Sequence, residues 1–518
     1  MKFILSALLV LVTSGCKNKE TPPSENSSCL MINLNDDLTS LDPRQVRWIR
    51  DLSIVNQLFE GLMRMDENGV PGPGVASEVS LSDDKLTYTF SLRKAHWSNG
   101  AEITAEDFVN AWRDVVTPSF ACDYSYLFYP IKNGKAIREG QLDREQLGVS
   151  AINAHTLVVY LENPTPYFLE LTCFPTFFPV PSTKGEGFIS NGPFSLEKWI
   201  PERELLLKKN SHYWDQERVY MDRITCTVLK DSMTEAYLFE KGKLDWLGQP
   251  LSANITPEVL GKMRESRSAY SYAVAGTCWI ECNTQKEPLH NVNMRKALSL
   301  SIHRKKLIDH LLEGEQVVAT GPLPPCMSLQ ETTYFNDGDT AFAKELFEQA
   351  MQEEGWALGS MPPLTLSYHP SERNNKIAQF LKEEWKEALG IDVELGALDR
   401  HLYKRNCKIG NFQIGIGDWI ADFNDPIAFL ELFKYREGMN STGWNDSHYT
   451  GLLDQSLQEK DTSVRKELLH EAEKMLVDNM PIIPLYHCSW DYAKKAEVSG
   501  VILSPLGIVD FKRTKKVS

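Results

Sequence analysis

The chain has 518 residues, of which 42% are hydrophobic and 24% are charged, and its formal net charge is −15. This composition is typical of soluble globular proteins, and the length exceeds what one hydrophobic core supports, so we expect two or three domains. The negative charge argues against a protein that wraps nucleic acid or lies on an anionic membrane surface, and favours neutral or cationic partners.

The N-terminal segment has the pattern of an export signal. Lys2 precedes an apolar run over residues 3–12 that is too short to span a bilayer, and Ser14 and Gly15 stand directly before Cys16. This resembles the lipobox of bacterial lipoproteins, whose cysteine is acylated, although Thr13 replaces the usual leucine. We predict a signal peptide over 1–15, a tether over 16–29 and contact with a lipid bilayer through Cys16. An ordinary secretory signal cleaved nearby is the alternative.

The remaining nine cysteines give no clear pairing. An odd number in an exported chain implies at least one free thiol. Cys278 and Cys282 lie four residues apart, and if "TCWIEC" is a strand both thiols point to the same face. Two small core thiols are then a better interpretation than a metal or redox pair.

Hydrophobic periodicity predicts an irregular alternation of strands and helices, which favours an α/β fold with mixed sheets. Asn99-Gly100 predicts a tight turn, and Thr104 is a good N-cap. The predicted elements are a strand at 86–92, a helix at 104–116, a strand at 156–161, and amphipathic helices at 292–312, 341–355 and 463–479.

The sequence lacks the local motifs of common enzymes. No phosphate-binding loop, dinucleotide fingerprint, nucleophile elbow, zinc motif or calcium loop occurs, and the eleven histidines are dispersed. We therefore predict no catalytic residues, no metal and no cofactor. A hydrolase assembled from distant residues is the alternative.

The stretch "GDWIADFNDP", residues 417–426, has two interpretations. Asp425-Pro426 ahead of the apolar run 427–433 is a good helix start. A carboxylate beside a tryptophan is also a plausible ligand site. The stretch by itself does not choose between them.

Several motifs along the chain together resemble the extracytoplasmic solute-binding proteins of peptide ABC transporters, the oligopeptide- and dipeptide-binding family. The likeness covers essentially the whole mature chain. Its motifs are "LDPRQV" (41–46), "LFEGL" (58–62), "FSLRKAHWSNGAEITAEDFV" (90–109), "NGPFSLEKW" (191–199), "GDWIADFNDP" (417–426) and "MPIIPLYH" (480–487).

The resemblance implies an α/β, bilobal periplasmic-binding-protein type II fold with mixed sheets and an extra inserted domain. We expect lobe I to comprise 30–48, 170–275 and 490–518, the inserted small domain 49–169, and lobe II 276–489. Two strands crossing between the lobes would form the hinge. Closure of the lobes would trap the ligand for delivery to a membrane permease.

The resemblance also implies a ligand anchor. The family's receptors carry a Trp-x-x-Asp pattern whose aspartate pairs with the peptide α-ammonium, which points to Asp422 next to Trp419. Such a carboxylate offsets the desolvation of the cation, and the tryptophan excludes water. Backbone groups of the flanking segment can pair with the peptide main chain as an added strand, and Asp418 and Ile420 are further candidate ligand contacts.

Other ligand contacts follow from the same resemblance: Arg47 and Ile49 from the opposite lobe, Trp279, Arg400 and His487. Arg47 stands where an acidic residue is common in the family, and Arg400 where oligopeptide binders often have tryptophan. For the two tryptophans, plain core packing is the alternative. For the two arginines, a solvated surface position is the alternative.

We therefore predict a non-enzymatic receptor that binds oligopeptides, with ABC permease subunits of the inner membrane as partners and no nucleic acid. We expect a monomer that is exported and lipid-anchored, facing the periplasm or the cell exterior. The alternatives are the same fold binding a murein peptide, nickel complex or haem, or a surface lipoprotein used for adhesion.

Overall fold

The computed structural model describes residues 28–182, 187–312, 314–436 and 439–517. The predicted signal peptide, the acylation site at Cys16 and nearly all of the tether lie outside these residues. Within the described ranges, no helix combines the length and the apolar character needed to cross a bilayer.

The first lobe is built on a four-stranded mixed sheet, in which one neighbouring pair is parallel and the other two pairs are antiparallel. Leu30, Ile32 and Leu34 alternate along the first strand and are all buried, which places them on the core. In spatial order the strands are Cys29–Leu34, Arg223–Val228, Glu204–Lys209 and Phe194–Ile200.

A second, antiparallel sheet lies within residues 49–169. Its strands, in spatial order, are Ala76–Leu81, Thr87–Leu92, Thr156–Tyr160 and Val149–Asn153. The helix Ala105–Val116 packs beside it and begins at Thr104, whose backbone N–H donates to the Asp107 carboxylate over 2.9 Å. The two strands and the helix predicted here are confirmed.

The predicted Asn99-Gly100 turn is also present. Gly100 has a φ of +86°, which suits glycine, and the Trp97 N–H donates to the Ala101 carbonyl over 2.8 Å. This sheet falls inside the range predicted for an inserted domain. The domain boundaries themselves remain a prediction.

A larger, mixed sheet has seven strands. Six of its strands are, in spatial order, Trp246–Gly248, Ile482–Lys494, Ala269–Cys282, Ile414–Ile420, Leu364–Tyr368 and Val393–Ala397. The seventh, Val317–Val318, pairs with Ile482–Lys494.

Two long strands of this sheet, Ala269–Cys282 and Ile482–Lys494, join the lobes. At one end they pair beside Trp246–Gly248, and at the other the first of them pairs with Ile414–Ile420. Their mutual register is irregular between Ala273 and Thr277. Two crossing strands with a local irregularity are the arrangement expected of a hinge.

Among the described residues the buried hydrophobic side chains form three clusters, and the largest contains residues of both lobes, such as Ile32 and Phe429. One large cluster includes Ile32, Phe108 and Phe511, and a second includes Cys278, Cys282 and Trp385. The two thiols are buried on the same strand face, as the sequence predicts, and none of the nine described cysteines forms a disulfide.

The remaining elements complete the two lobes. The other α-helices are Ile49–Leu58, Gly134–Arg138, Phe168–Leu171, Ser232–Glu240, Pro257–Glu265, Val292–Leu300, Arg304–Leu307, Thr340–Glu354, Glu372–Leu389, Arg400–Lys408, Ile427–Leu430, Ser447–Gln458 and Thr462–Asn479, and the short strand pairs are Met63–Met65 with Pro71–Pro73, Val498–Ser499 with Lys515–Lys516 and Ile502–Leu503 with Val509–Asp510. The 3-10 helices are Ser125–Phe128, Arg144–Gln146, Pro175–Phe177, Gln216–Arg218, Pro325–Met327, Leu358–Ser360 and Glu431–Phe433, and Ile308–Leu312 is a π-helix.

The predicted continuous helix 292–312 is wrong, because the chain leaves the helix after Leu300 and resumes at Arg304. Tertiary contacts cause the break. The His303 N–H donates to the Glu384 carboxylate over 2.8 Å, and the buried Arg304 guanidinium donates to the carbonyls of Ser299 and Pro484 over 3.0 and 2.6 Å. Arg304 thus ties this break to the long strand Ile482–Lys494.

Replacing Arg304 with methionine should lower the free energy of unfolding by about 3 kcal/mol, because several buried carbonyls lose their donor. The neighbouring Lys305 is exposed, so Lys305→Met is a matched control that should change stability by less than about 0.5 kcal/mol. Urea denaturation of both variants measures the difference. Equal stabilities would contradict the role assigned to Arg304.

Candidate ligand-binding site

The strand Ile414–Ile420 has one open edge. On one side it pairs with Ala269–Cys282 along its whole length. On the other side it pairs with Leu364–Tyr368 only at Ile414 and Gly415. Among the described residues, no strand pairs with this second edge beyond Gly415.

Backbone geometry shows which groups face the open edge. The Ala421 N–H donates to the Ala275 carbonyl over 2.8 Å, so the alternation of an antiparallel ladder turns the N–H and C=O groups of Asp418 and Ile420 the other way. The Tyr403 hydroxyl donates to the Ile416 carbonyl over 2.8 Å, so the open edge stops at Ile416. An extended backbone can therefore pair with this edge between Ile416 and the end of the strand at Ile420.

Asp422 lies two residues beyond the strand. Its side chain is partly buried, and its carboxylate accepts a hydrogen bond from the Tyr126 hydroxyl. No cationic side chain of the described residues pairs with it. Burial raises the pKa of Asp422 to about 6, and the hydrogen bond from Tyr126 offsets part of that effect. A carboxylate in this position needs a proton or a cation.

Sequence reasoning missed the tyrosines at this site. Tyr124 donates from its hydroxyl to the Arg47 carbonyl over 3.0 Å, and its ring centroid lies 6.3 Å from that of Tyr126. The pair therefore connects the Arg47 main chain with Asp422. The "DYSY" spacing carries no local signal that separates ligand-site tyrosines from core aromatics.

The next residues hold Asp422 in place. Phe423 stacks on Tyr167 with ring centroids 4.4 Å apart, and the Asn424 N–H donates to the Glu170 carboxylate over 3.1 Å. Burial raises the pKa of Glu170 to about 7. The segment after Asp422 is thus attached to the helix Phe168–Leu171.

Asp425 has the structural role that the helix-start interpretation assigns to Asp425-Pro426. Its carboxylate binds both terminal nitrogens of Arg465, at 2.8 and 2.9 Å, and accepts from the Ile427 N–H over 3.0 Å. Both side chains of the ion pair are buried. Asp425 therefore supports the helix start, while Asp422, in the same stretch, is the candidate ligand anchor.

Trp419 and His487 share one face of the sheet, since both pair in register with Thr277. The His487 Nδ1 lies 2.9 Å from the Thr277 hydroxyl, and burial lowers the pKa of His487 to about 4, so the ring is neutral at physiological pH. Trp419 is half-buried, and its indole N–H has no partner among the described residues.

Trp279 is buried in this structure. Its ring lies 6.2 Å from that of Phe429 and 6.1 Å from that of Phe433, in edge-on geometry. These contacts match the core-packing alternative for Trp279. Trp279 belongs to the same buried cluster as Ala421 and Phe423, and its contact with a ligand remains a prediction.

The remaining predicted contacts are more exposed. Arg47 pairs with Asp123 over 3.3 Å, and Ile49 begins the helix Ile49–Leu58. Asp418 accepts from Arg373 over 3.1 Å. Arg400 is exposed at the start of the helix Arg400–Lys408.

The described part of the chain contains no group of three or more histidine, cysteine, aspartate or glutamate side chains that could hold a metal ion. Two lobes joined by crossing strands, with an open strand edge and a carboxylate without a cation, are features of a ligand-binding protein.

Comparison with known proteins agrees with this class. Residues 70–441 match the model of the bacterial extracellular solute-binding proteins, family 5, and the chain belongs to that family. These proteins are extracytoplasmic, non-enzymatic receptors. The chain is 36% identical to the oligopeptide-binding protein OppA of Bacillus subtilis, with 98% of this chain and 97% of the relative covered.

Other relatives and solved structures are similar over nearly their whole length. The dipeptide-binding protein DppE of Bacillus subtilis is 29% identical, covering 97% of this chain and 96% of the relative. The murein tripeptide-binding protein MppA of Escherichia coli has a TM-score of 0.79 at 28% identity, covering 95% and 99% of the two chains. OppA of Listeria monocytogenes bound to peptide has a TM-score of 0.75 at 28% identity, covering 95% and 100%.

The pKa of Asp422 predicts a pH-dependent stability difference. A raised carboxyl pKa contributes stability that is fully present below the ordinary value of 3.8 and is lost as the pH rises through about 6. Between pH 4 and pH 7 the unfolding free energy of the wild type should therefore fall by about 2 kcal/mol relative to that of Asp422→Asn. This value takes into account that the Asp422 side chain is only partly buried.

Urea denaturation of both proteins across this range measures the loss. In Tyr126→Phe the transition should move to higher pH, because the hydrogen bond that lowers the Asp422 pKa is absent. A difference between wild type and Asp422→Asn that stays constant with pH would show that Asp422 has an ordinary pKa.

Proposed function

We propose that this protein is the ligand-capturing receptor of an ABC importer and that it binds oligopeptides between its two lobes, with the peptide α-ammonium held by Asp422. The observation that carries the proposal is a partly buried carboxylate without a cation, at the end of an open strand edge. A peptide supplies both of the missing partners, because it has a cationic terminus followed by an extended backbone.

The ammonium group fits the surroundings of Asp422. Its positive charge replaces the proton that burial favours on this carboxyl, and a charge-assisted hydrogen bond is stronger than the one from the Tyr126 hydroxyl alone. The half-buried ring of Trp419, three residues earlier, limits the access of water to this end of the strand.

The peptide main chain then continues along the open edge. Its N–H and C=O groups pair with those of Ile420 and Asp418, antiparallel to the strand Ile414–Ile420. Main-chain pairing gives affinity that does not depend on side-chain identity. This suits a receptor for many different peptides.

The opposite side of the ligand is formed by the segment at Arg47 and Ile49. Tyr124 binds the Arg47 carbonyl, while Tyr126 binds Asp422, so the tyrosine pair bridges the two sides of the site. Closure about the two crossing strands encloses the peptide, and the closed form docks on the permease. In this proposal the chain is exported, anchored through the acylated Cys16, and acts as a monomer.

The names of the relatives support a peptide ligand. They include oligopeptide-, dipeptide- and murein peptide-binding proteins. A murein peptide is the second candidate ligand, because a murein peptide-binding relative is 30% identical over 88% of this chain. We include a murein tripeptide among the ligands of the first experiment.

Calorimetric titration of ligand-stripped protein with peptides of two to five residues, each beside its N-acetylated form, tests the ammonium anchor. Acetylation or Asp422→Asn should weaken binding on the order of 100-fold, because each removes one charge of an enclosed pair. Asp83→Asn, which changes an exposed carboxylate in the turn before the strand Thr87–Leu92, is the matched control and should leave affinity nearly unchanged. Equal binding of free and acetylated peptides would exclude Asp422 as an ammonium anchor.

Backbone N-methylation of a bound pentapeptide tests the added strand. Methylation at positions whose N–H faces the open edge should weaken binding on the order of tenfold, and methylation at the alternate positions should have little effect. A scan of single N-methyl peptides by titration gives the pattern. Absence of alternation would argue against main-chain pairing with Asp418 and Ile420.

A further inference from the structure

The chain that follows the predicted acylation site enters the fold at one end of the four-stranded sheet. The Ser28 N–H donates to the Asp222 carboxylate, and the Ser28 hydroxyl donates to the Tyr220 carbonyl, both over 2.9 Å. Cys16 precedes Ser28 by twelve residues, a length of chain that reaches at most about 40 Å. This end of the sheet is therefore the part of the described structure that the anchor holds nearest to the membrane.

Cationic side chains surround this entry point. Cys29, Arg223 and Lys208 lie in register on three neighbouring strands and share the sheet face opposite to the buried side chains of the first strand. Lys209 follows Lys208 at the end of its strand, and its amine donates to the Val219 carbonyl over 2.7 Å. A row of cations thus begins beside the first residues of the sheet.

The C-terminal strand Lys515–Lys516 adds two more cations. The Lys515 amine lies 4.1 Å from the ring centroid of Tyr220, and both side chains are exposed. Lys516 pairs with the buried Asp245 over 2.8 Å, and the other oxygen of Asp245 accepts from the Met31 N–H over 2.8 Å. Both lysines therefore lie beside the first strand.

Positive charge exceeds negative charge on this surface. Arg223 pairs with Glu197 over 3.0 Å, and Lys516 pairs with Asp245, so these charges balance. The cations without a carboxylate partner among the described residues are Lys208, Lys209 and Lys515. Asp222 is the one carboxylate of the contacts named above that has no cation beside it. The excess is positive, in a chain whose net charge is −15.

Acidic residues at the margin do not reverse this excess. Glu217 is followed directly by Arg218, and Glu497 stands two residues after Lys495. Each of these pairs adds no net charge. The surface around the entry point therefore differs in sign from the molecule as a whole.

We infer that this entry surface, defined by Lys208, Lys209, Tyr220, Lys515 and Lys516, binds the anionic headgroups of the bilayer that carries the lipid anchor and so orients the receptor on the membrane. This rests on the anchoring through Cys16 in the proposed function. The partner is a lipid surface, because the anchor brings a bilayer within reach of this end of the sheet.

Electrostatics makes the contact selective for one orientation. Anionic headgroups attract lysines near the surface, and the attraction falls off within about 10 Å at moderate salt. The anchor keeps the entry surface at a high local concentration beside the headgroups, so a few cations are sufficient. The remainder of the chain is acidic and is repelled. The exposed Tyr220 ring suits the headgroup region, where aromatic side chains with a polar end are favoured.

Lysine footprinting of the full chain tests the contact. The chain, with acylation at Cys16 verified by mass spectrometry, is reconstituted in nanodiscs of phosphatidylcholine alone or mixed equally with phosphatidylglycerol. Lys208 and Lys515 should react with acetic anhydride about fivefold more slowly on the anionic discs, and high salt should remove the difference. Lys344 and Lys466, exposed on helices Thr340–Glu354 and Thr462–Asn479, should react equally on both.

A charge-reversal variant sharpens the test. Lys208→Glu combined with Lys515→Glu should abolish the protection that Lys516 also gains on anionic discs. Lys344→Glu combined with Lys466→Glu changes the net charge by the same amount and should keep that protection. Thermal unfolding and peptide titration of both variants check that the fold and the ligand site are unchanged.

The outcomes distinguish this inference from the proposed function. If the chain is acylated but Lys208 and Lys515 react equally on both kinds of disc, the entry surface does not bind the membrane and the anchoring stands. Equal protection of Lys344 and Lys466 would show a contact without orientation and would also overturn the inference. If Cys16 carries no acyl group, the proposed anchoring fails and this inference fails with it. The peptide titrations of the proposed function are independent of these results.

Discussion

The site depends on one electrostatic constraint, a partly buried carboxylate at Asp422 that has a tyrosine hydroxyl but no cation as partner. Such a group is stable as an acid or beside a positive charge, and it is costly as a free anion. The described residues around Asp422 supply no cation, so the carboxyl remains able to bind one. A ligand that brings a cation to Asp422 removes the cost, and binding therefore favours the arrangement that encloses it.

The stretch around Asp422 is held by contacts of the residues that follow it. Asp425 is bound on both oxygens by Arg465, Asn424 is held by Glu170, and Phe423 stacks on Tyr167. These contacts involve residues far apart in the chain. They fix the position of a single side chain relative to a strand edge, which is the geometry that an extended ligand requires.

Much of the fold could be predicted from local pattern. The strand at Thr87–Leu92, the capped helix from Ala105 and the glycine-terminated helix ending at Glu354 each have a periodicity and an end signal in the sequence itself. The helix predicted across 292–312 was wrong because Glu384 and Pro484, both distant in sequence, hold the chain in a break that no local signal marks.

The sequence by itself determined the family, the lobed α/β fold and the candidate aspartate, because these depend on short motifs whose residues are neighbours in the chain. Only the tertiary structure decided that Tyr126 is the partner of Asp422, that Trp279 packs in the core, and that Arg373 reaches Asp418. Each of these contacts joins residues tens to hundreds of positions apart. Their closeness results from how the strands and helices pack, which residue type and spacing do not encode locally.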